Sequence, residues 1–391
     1  MICRLCKSND VKELINFGEQ PIVHHFIKSK DEYSPKYSFR LGHCTNCDLL
    51  QLMDCISPEI LYQNYFTLSS WKNQPHVDRL IEVMENISGN DKKYEIFEIG
   101  CNDGSFLDEL NKRGYLNIAG VEPTLDAYRE TQKLNLNVKH DFFGKKFIES
   151  ERMELKKDIV ITRQVLEHIV NLEEFMTSIN KILKEDGKLI IEVPDASCNL
   201  ETLDYTLWEE HVNYFTLDTL KKLVSKYGFK VIHHEVTLFS GRTLTIFCEK
   251  CELNVSKNIS KDRTIIDYYG NNWNTYTSKL EDFLKKQNKP IAIYGCGGRS
   301  STFVNFTNIK DYIEVYIDDQ EEKQNYFLAD AKIPIVPWEE KYRNYIILLG
   351  VNTENEFKVI NKRSLSKENT YSILPPSSLI PEFWSELYYE Q

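Results

Sequence analysis

The stretch from Glu95 to Leu110 constrains the possible fold more than any other part of the chain. A mostly apolar run leads into Gly100, a second glycine follows at Gly104, and the residues after it have the pattern of a helix. A buried strand that runs into a glycine turn and then a helix is the first unit of a doubly wound parallel sheet. Ligands bind at the carboxyl ends of the strands in such sheets, so the pattern predicts an α/β domain with a site beside Gly100.

The same alternation continues as far as Pro194. Helical patterns separate strand-like segments at Ile118–Glu122, Asp158–Thr162 and Lys188–Pro194. One helix is expected from about Leu172 to Lys184, and Asp186-Gly187 is expected to end it, because glycine favours helix C-termini. The alternation is what a parallel sheet requires.

The glycine turn differs from that of dinucleotide-binding sites. Its spacing, Glu98-x-Gly100-x-x-x-Gly104, departs from Gly-x-Gly-x-x-Gly, and it lets the backbone approach an amino-acid moiety or adenosine as well as a phosphate. Glu122 ends the second strand 18 residues after Gly104. Because an acid in that place accepts hydrogen bonds from both hydroxyls of a ribose, these residues predict an adenosine-type cofactor.

Six of the ten cysteines form three Cys-x-x-Cys pairs, of which Cys248 and Cys251 stand alone and are expected to be structural or incidental, whereas the other two pairs lie near the start of the chain. The first is Cys3 and Cys6, the second is Cys44 and Cys47, and 37 residues separate them. Two such turns complete the tetrahedral sulfur shell that Zn²⁺ prefers, and they leave no position open for water. We therefore expect a structural zinc ion; the alternative is four buried free cysteines.

The charge and hydropathy of the chain exclude some partners. It has 391 residues, which suggests two or three domains, and its 48 Lys and Arg against 59 Asp and Glu give a net charge of -11. It has no long basic run that would neutralise a nucleic-acid backbone. No apolar stretch approaches the roughly 20 residues that span a bilayer, and Met1–Cys6 does not resemble a signal peptide. We expect a cytoplasmic protein whose partners are neither nucleic acid nor membrane.

Five short motifs occur in the order found in class I S-adenosylmethionine-dependent methyltransferases: Glu98–Gly104, Gly120–Pro123, Asp141–Gly144, Val165–His168 and Ile191–Pro194. More specifically, the whole chain resembles the three-domain sugar C-methyltransferases, which act on nucleotide-linked keto-deoxysugars in bacteria. That family begins with a four-cysteine zinc domain that contains a Gly-Glu-Gln-Pro turn. In this chain the same turn is Gly18–Pro21, which lies between the two cysteine pairs. The similarity runs from about residue 3 to about residue 380.

The resemblance implies a zinc-binding domain (1–70), a class I methyltransferase domain with a Rossmann-like sheet (71–250) and a second Rossmann-like α/β domain (251–391). In the last domain, Pro290–Ser301 itself has the pattern of a strand, a glycine loop and a helix start, where a phosphate can bind. By resemblance this domain helps to hold a nucleotide-sugar. The alternative is a structural domain without a ligand, and the sequence leaves open whether the chain is a monomer or a homo-oligomer.

The resemblance also implies which residues hold the small molecules. S-adenosylmethionine is expected at residues of the first two motifs: Glu98, Gly100, Asn102, Asp103, Gly104, Glu122 and Pro123. The sugar nucleotide is expected at residues of the catalytic segment, the following hairpin and the C-terminal glycine loop: Trp208, Asn213, Arg242, Gly295, Arg299 and Ser300.

Carbon methylation beside a ketone needs a base for the α proton, a donor for the enolate oxygen and a methyl group held in line. Glu210-His211 resembles the pair that this family places in its active site. On that resemblance His211 is the candidate base, and Glu210 orients its ring or binds a sugar hydroxyl. His168 is a second candidate for a catalytic or substrate role. Tyr65 resembles a family tyrosine that reaches over cofactor and sugar.

Some residues depart from the family pattern or compete with these candidates. Tyr62 and Phe66 are close rivals of Tyr65. Trp208 and Glu209 stand where the family commonly has tyrosine and histidine, which removes one possible donor to the enolate. The alternatives are therefore O-methylation of a sugar hydroxyl, and a zinc-bearing scaffold whose methyltransferase fold is inactive.

Overall fold

The structure is a computed structural model that describes residues 1–23, 25–61, 74, 76–152, 157–239, 241–252, 262–374 and 377–381. Its strands form one sheet of four, one of seven and one of five strands, together with a two-stranded ribbon. Within these ranges, every helix is either too short or too polar to cross a bilayer.

The N-terminal sheet is antiparallel and takes one strand from far along the chain. That strand, β10 (Asn213–Tyr214), pairs with β4 of the first domain. The sheet order is β1-β3-β4-β10, and β2 forms the ribbon with β15 of the C-terminal domain. The other strands involved are β1 (Val11–Pro21), β2 (Phe26–Ile27), β3 (Lys36–Cys44), β4 (Leu50–Leu52) and β15 (Phe327–Leu328).

The central sheet has seven strands in the order β11-β12-β9-β8-β5-β6-β7. Five of them are parallel, and a C-terminal hairpin adds two antiparallel strands beside β9. Because both faces are covered, the middle of the long parallel strands is apolar and buried, as at Ile159–Ile161 and Leu189–Ile191, while charged residues stand nearer the strand ends. The strands are β5 (Glu95–Ile99), β6 (Asn117–Val121), β7 (Val138–Lys139), β8 (Lys157–Arg163), β9 (Leu183–Pro194), β11 (Phe229–Leu238) and β12 (Arg242–Lys250).

The helices up to β11 begin with a short one, α1, in the first domain. Most of the others accompany the central sheet and bury one apolar side, as Leu80, Ile81 and Met84 of α2 do. Ala196 and Leu200 of α7 belong instead to the apolar core of the first and last domains. Their bounds are α1 (Pro58–Leu61), α2 (Val77–Ser88), α3 (Ser105–Lys112), α4 (Leu125–Lys133), α5 (Lys145–Ser150), α6 (Leu172–Ile182), α7 (Ala196–Glu201) and α8 (Leu217–Lys226).

The predicted end of one helix is wrong. Helix α6 ends at Ile182, and β9 begins at Leu183, so Asp186-Gly187 lies inside a strand. Leu183 pairs with Lys157 before the register of the two strands shifts. A Cβ at position 187 would lie 2.8 Å from Cγ of Leu183, so glycine allows the close packing of the irregular stretch between Leu183 and Lys188.

The C-terminal domain is a parallel sheet of five strands in the order β16-β14-β13-β17-β18. A helix of 24 residues, α9, leads into it from the central domain. The strands are β13 (Ile291–Tyr294), β14 (Ile313–Ile317), β16 (Ile335–Val336), β17 (Ile346–Leu349) and β18 (Thr370–Ser372), and the helices are α9 (Asp262–Lys285), α10 (Gly298–Thr307) and α11 (Thr353–Arg363).

One apolar core joins the first and last domains. Phe17 of β1 stacks on Phe306 of α10 with ring centroids 4.3 Å apart, and its edge meets Trp273 of α9 at 5.3 Å. Aromatic pairs of this kind stabilise by about 0.5–1.5 kcal/mol beyond the area that they bury. The N-terminal sheet is therefore held from two sides, by this core and by its pairing with β10.

Candidate active site and metal centre

The four predicted cysteines come together at the start of the chain. The sulfurs of Cys3 and Cys47 lie 3.5 Å apart, as do those of Cys6 and Cys44, and all four lie within 4.8 Å of one another. Four sulfurs around a zinc ion at about 2.3 Å are separated by about 3.8 Å. This donor set therefore fits a tetrahedral zinc ion, and the fully protein-bound shell makes that zinc structural.

The zinc-binding turns are tied to the rest of the protein through their backbone. Lys222 and Lys226 of α8 donate to the carbonyls of Cys47 and Leu5, at 2.9 and 2.7 Å. Arg4, between the first two cysteines, donates to the carbonyl of Val212 at 2.9 Å. Val212 directly follows His211 in the chain, so the metal centre is connected to the segment that carries the candidate base.

The glycine turn after β5 has the backbone shape that only glycine adopts easily. Gly100 and Gly104 have φ of 69° and 82°, in the left-handed region. A Cβ on Gly100 would lie 2.5 Å from Cγ2 of Val165, and one on Gly104 would lie 2.5 Å from Cδ1 of Leu136. The turn is therefore drawn close to its neighbours at the carboxyl end of β5, which is where the sequence predicts the cofactor.

Glu122 follows β6 and holds this turn. Its two oxygens accept hydrogen bonds from the backbone N–H groups of Asn102 (2.9 Å) and Thr124 (2.8 Å). It is 5% exposed, and burial raises its pKa. Asp103 accepts from the N–H of Ser105 at 3.1 Å. The carboxylate therefore links the ends of the first two strands, at the position expected to meet a ribose.

Pro123 is the last of the expected cofactor residues. Its carbonyl oxygen lies 3.0 Å from Nε2 of His140. The seven expected cofactor residues thus lie on the two loops that follow β5 and β6 or, for Glu98, within β5 itself.

Replacing Glu122 by glutamine should weaken the binding of S-adenosylmethionine about 10- to 100-fold. Glutamine has only one accepting oxygen, so one of the two backbone N–H groups loses its partner, and hydrogen bonds to a charged group contribute about 1.5–3 kcal/mol. Titration calorimetry measures the change. Glu149→Gln, on the exposed side of α5, is the matched control and should bind as the native chain does; equal affinity in the Glu122 variant would exclude this role.

A buried group of charges lies beneath the turn. Arg163 is 3.6 Å from Glu98 and 3.4 Å from Glu192, and His76 is 3.1 Å from Glu192. Burial raises the pKa of Glu98 to about 8, although Arg163 opposes the rise. Oε2 of Glu98 has no hydrogen-bond partner among the described residues. An unpartnered buried acceptor at the end of β5 fits the ammonium group of a methionine moiety.

Three of the predicted catalytic residues, His168, Glu210 and His211, lie close together in the structure. Nδ1 of His168 lies 3.0 Å from the carbonyl oxygen of Glu210, and the rings of His168 and His211 meet edge to face at 4.8 Å between centroids. His168 belongs to a 3-10 helix (Leu166–His168) that follows β8, and His211 comes just before β10. The pairing of β10 with β4 therefore positions the segment that bears His211.

Burial shifts the acid–base behaviour of this group. It lowers the pKa of His168 to about 4 and that of His211 well below the ordinary value, with His168 adding to the second shift. It raises the pKa of Glu210 to about 8, and Glu209 adds to that rise. At neutral pH both imidazoles are therefore neutral and carry lone pairs that can accept a proton.

Glu167 is a member of this group that the sequence reasoning did not single out. Its carboxylate lies within 4.8 Å of ring nitrogens of His168 and His211, it is 1% exposed, and neither of its oxygens has a hydrogen-bond partner among the described residues. The Leu-Glu-His motif contains it, but a neighbour in sequence need not face the same site. The sequence signal for Glu167 is its place inside that motif, and its burial without a partner is seen only in the structure.

Three of the expected substrate residues, Arg242, Arg299 and Trp208, contact other parts of the protein. Arg242 pairs with Asp195 at 2.8 Å. Nη2 of Arg299 lies 3.1 Å from where a Cβ on Gly241 would be, so the start of α10 reaches the hairpin beside Arg242. Trp208 is held through its backbone, whose N–H donates to the hydroxyl of Tyr214 at 3.0 Å.

Two other expected substrate residues bond to the protein's own backbone. Asn213 is 1% exposed and donates to the carbonyl of Ile169 at 2.8 Å, and the buried hydroxyl of Ser300 donates to that of Gly295 at 2.7 Å. These contacts favour a role in holding loops. Tyr65 and its rivals Tyr62 and Phe66 lie outside the described residues.

Three family models match successive parts of the chain. A model described as "Putative zinc binding domain" matches residues 3–62, "Methyltransferase domain" matches 71–234, and "C-methyltransferase C-terminal domain" matches 260–375. Their order is that of the three sheets described above.

Two curated proteins are similar in sequence to parts of this chain. The C-methyltransferase NovU of Streptomyces niveus is 24% identical over 63% of this chain, and a ubiquinone biosynthesis O-methyltransferase of Rickettsia bellii is 26% identical over 30% of it. The chain spans 60% of the length of the first and 50% of the second.

Among solved structures, the 1,6-didemethyltoxoflavin-N1-methyltransferase of Burkholderia thailandensis is similar at a TM-score of 0.39 and 12% identity, over 54% of this chain and 99% of that one. A SAM-dependent methyltransferase of Archaeoglobus fulgidus has a TM-score of 0.38 and 18% identity, over 44% of this chain and 92% of that one.

Proposed function

Because this chain belongs to the three-domain family of S-adenosylmethionine-dependent sugar C-methyltransferases, we propose that it methylates a carbon beside the ketone of a nucleotide-linked keto-deoxysugar. The observation that carries the proposal is the contact of the Glu210-His211 segment with His168, at the carboxyl end of the central sheet. This contact supports the proposal, because groups able to accept a proton then lie at the same end of the sheet as the expected cofactor turn.

The cofactor would be held by the loops after β5 and β6. Glu122 and the backbone around Gly100 suit the adenosine, and the unpartnered oxygen of Glu98 suits the amino group of the methionine part. When bound, S-adenosylmethionine supplies a methyl group that its sulfonium already activates. The protein must therefore supply only proton transfer and positioning.

The proton on the α carbon would pass to the Glu210-His211 pair. Burial keeps His211 neutral, so a lone pair is available, and it holds the pKa of Glu210 near neutrality. A base whose pKa lies near the working pH is effective in this kind of step. The remaining carbanion, shared with the ketone oxygen as an enolate, is then ready for alkylation.

The nucleotide would lie between the central and C-terminal domains. Nη2 of Arg299, at the start of α10, lies 3.1 Å from where a Cβ on Gly241 of the hairpin would be, and Gly297 precedes the N-terminus of that helix. Arg242 follows Gly241 in the chain, and its guanidinium pairs with Asp195 at 2.8 Å. The guanidinium group of Arg299 beside a helix N-terminus suits a diphosphate.

The test separates carbon from oxygen methylation. A set of nucleotide-linked keto-deoxysugars is incubated in deuterated water without methyl donor, and hydrogen exchange beside the ketone is followed by NMR; the methylated product is then identified with ¹³C-labelled donor. We expect enzyme-dependent exchange and a carbon-bound methyl group. An oxygen-bound methyl group without exchange would contradict the proposal and support O-methylation, and failure to bind S-adenosylmethionine would indicate an inactive scaffold.

A further inference from the structure

We propose that Glu167, His168 and His211 bind a divalent cation in the active site, separate from the zinc ion of the four cysteines. One ligand atom from each residue lies within 4.8 Å of the other two, so a single ion can reach all three. Two imidazole nitrogens and one carboxylate form a donor set that leaves coordination positions open for water or substrate. The catalytic role of the ion rests on the proposed function, but its binding does not.

Glu167 is the independent observation that points to a cation. A carboxylate that is 1% exposed and has no hydrogen-bond partner among the described residues is costly, because burial removes its water without replacing it. Both of its oxygens are in this condition. The two groups close to them are imidazoles, which are themselves cation ligands, and an ion between the three would compensate the carboxylate charge.

His168 has the second contact that metal-binding histidines usually make. Its Nδ1 lies 3.0 Å from the carbonyl oxygen of Glu210. Because a carbonyl can only accept, Nδ1 carries the proton and Nε2 keeps a lone pair. A backbone carbonyl on the far nitrogen fixes both the tautomer and the orientation of a ligating ring.

The ion would divide the catalytic work between neighbouring groups. Bound to the ketone oxygen of the sugar, it would stabilise the negative charge that develops there as the α C–H bond breaks. With the lone pair of His211 engaged, the proton would pass to the carboxylate of Glu210, and the C–H electron pair would become the enolate. Glu210 is suitably near, since its own carbonyl contacts His168.

Mn²⁺ is the probe, because oxygen and nitrogen ligands suit it and it does not displace zinc from four thiolates. Zinc-loaded protein is titrated with Mn²⁺, and electron paramagnetic resonance counts the free ion. We expect one Mn²⁺ per chain, and binding at least roughly tenfold weaker in Glu167→Gln. Glu209→Gln is the matched control: Glu209 is a buried glutamate on the same segment as His211, and its Oε1 accepts from Val23.

A second measurement does not depend on how the variants fold. Spin-echo spectra of Mn²⁺ bound to the native chain should show modulation from two imidazole nitrogens. No bound Mn²⁺ at millimolar concentration, binding that Glu167→Gln leaves unchanged, or spectra without imidazole nitrogen would each overturn the proposal.

The same preparations separate this proposal from the proposed function. Cation-free, zinc-loaded protein should lose hydrogen exchange beside the ketone, and Mn²⁺ should restore it. If Mn²⁺ binds as described but no keto sugar is methylated, the proposed function fails and the cation site stands. If methylation proceeds equally without the cation, and none is bound, only the cation site fails.

Discussion

Replacing His211 by alanine should lower the turnover number about 10²- to 10⁴-fold, the range in which a positioned acid–base group contributes to a reaction. The affinity for S-adenosylmethionine should stay the same, because the expected cofactor residues lie on β5 and the loops after β5 and β6, whereas His211 comes just before β10. The loss is expected whether the ring accepts the proton itself or holds a cation. Initial rates with a keto-sugar substrate and titration calorimetry with the cofactor measure the two quantities.

The control for this substitution is His234→Ala, since His234 is exposed on the edge strand β11. It should turn over as the native chain does. If His211→Ala keeps most of its activity, the proton must pass to another group, with Glu210 and His168 the nearest candidates. If it loses cofactor affinity as well, the substitution has disturbed the fold, and the kinetic result would not identify a role.

Replacing Cys44 by serine should release the metal ion and unfold the N-terminal domain. Binding of structural zinc contributes about 10–16 kcal/mol in small zinc domains, which is as large as the whole stability of a typical domain. Activity should fall too, since Arg4 and β4 connect the metal centre to the chain just after His211. Metal content by mass spectrometry and thermal unfolding followed by circular dichroism report the change.

Cys198→Ser is the matched control for the metal-centre prediction. Cys198 lies in α7 and is not one of the four clustered cysteines. We expect it to keep one zinc ion per chain and a native unfolding transition. A Cys44 variant that is folded, active and free of metal would contradict a structural zinc ion.

The sequence predicts the local elements of this fold well and its long-range contacts poorly. The glycine turn at Gly100 and Gly104 is visible because the backbone there has a shape that other residues resist. The parallel strands are visible because burial on both faces makes their central stretches apolar, as at Ile159–Ile161 and Leu189–Ile191. The end of α6 is not visible in the sequence, because Leu183 pairs with Lys157 in a strand that the local sequence does not predict.

In the candidate site too, the sequence predicts residues that belong to local motifs and misses those whose role depends on long-range contacts. His168, Glu210 and His211 were expected from motifs, and the structure brings them together. Glu167 was not expected, because its importance lies in having no partner after burial, and a sequence does not contain that information. The approach of Arg299 to Gly241 depends on how two domains pack.

The late strand β10 affects how the protein is made in the cell. The N-terminal sheet cannot be completed until residues 213 and 214 have left the ribosome, which at roughly 5–20 residues per second is about 10–30 s after β4 has left it. During that time the edge of β4 is unpaired. A nascent chain of this kind should recruit chaperones to its first domain, and chains truncated before β10 should aggregate even though they contain all four cysteines.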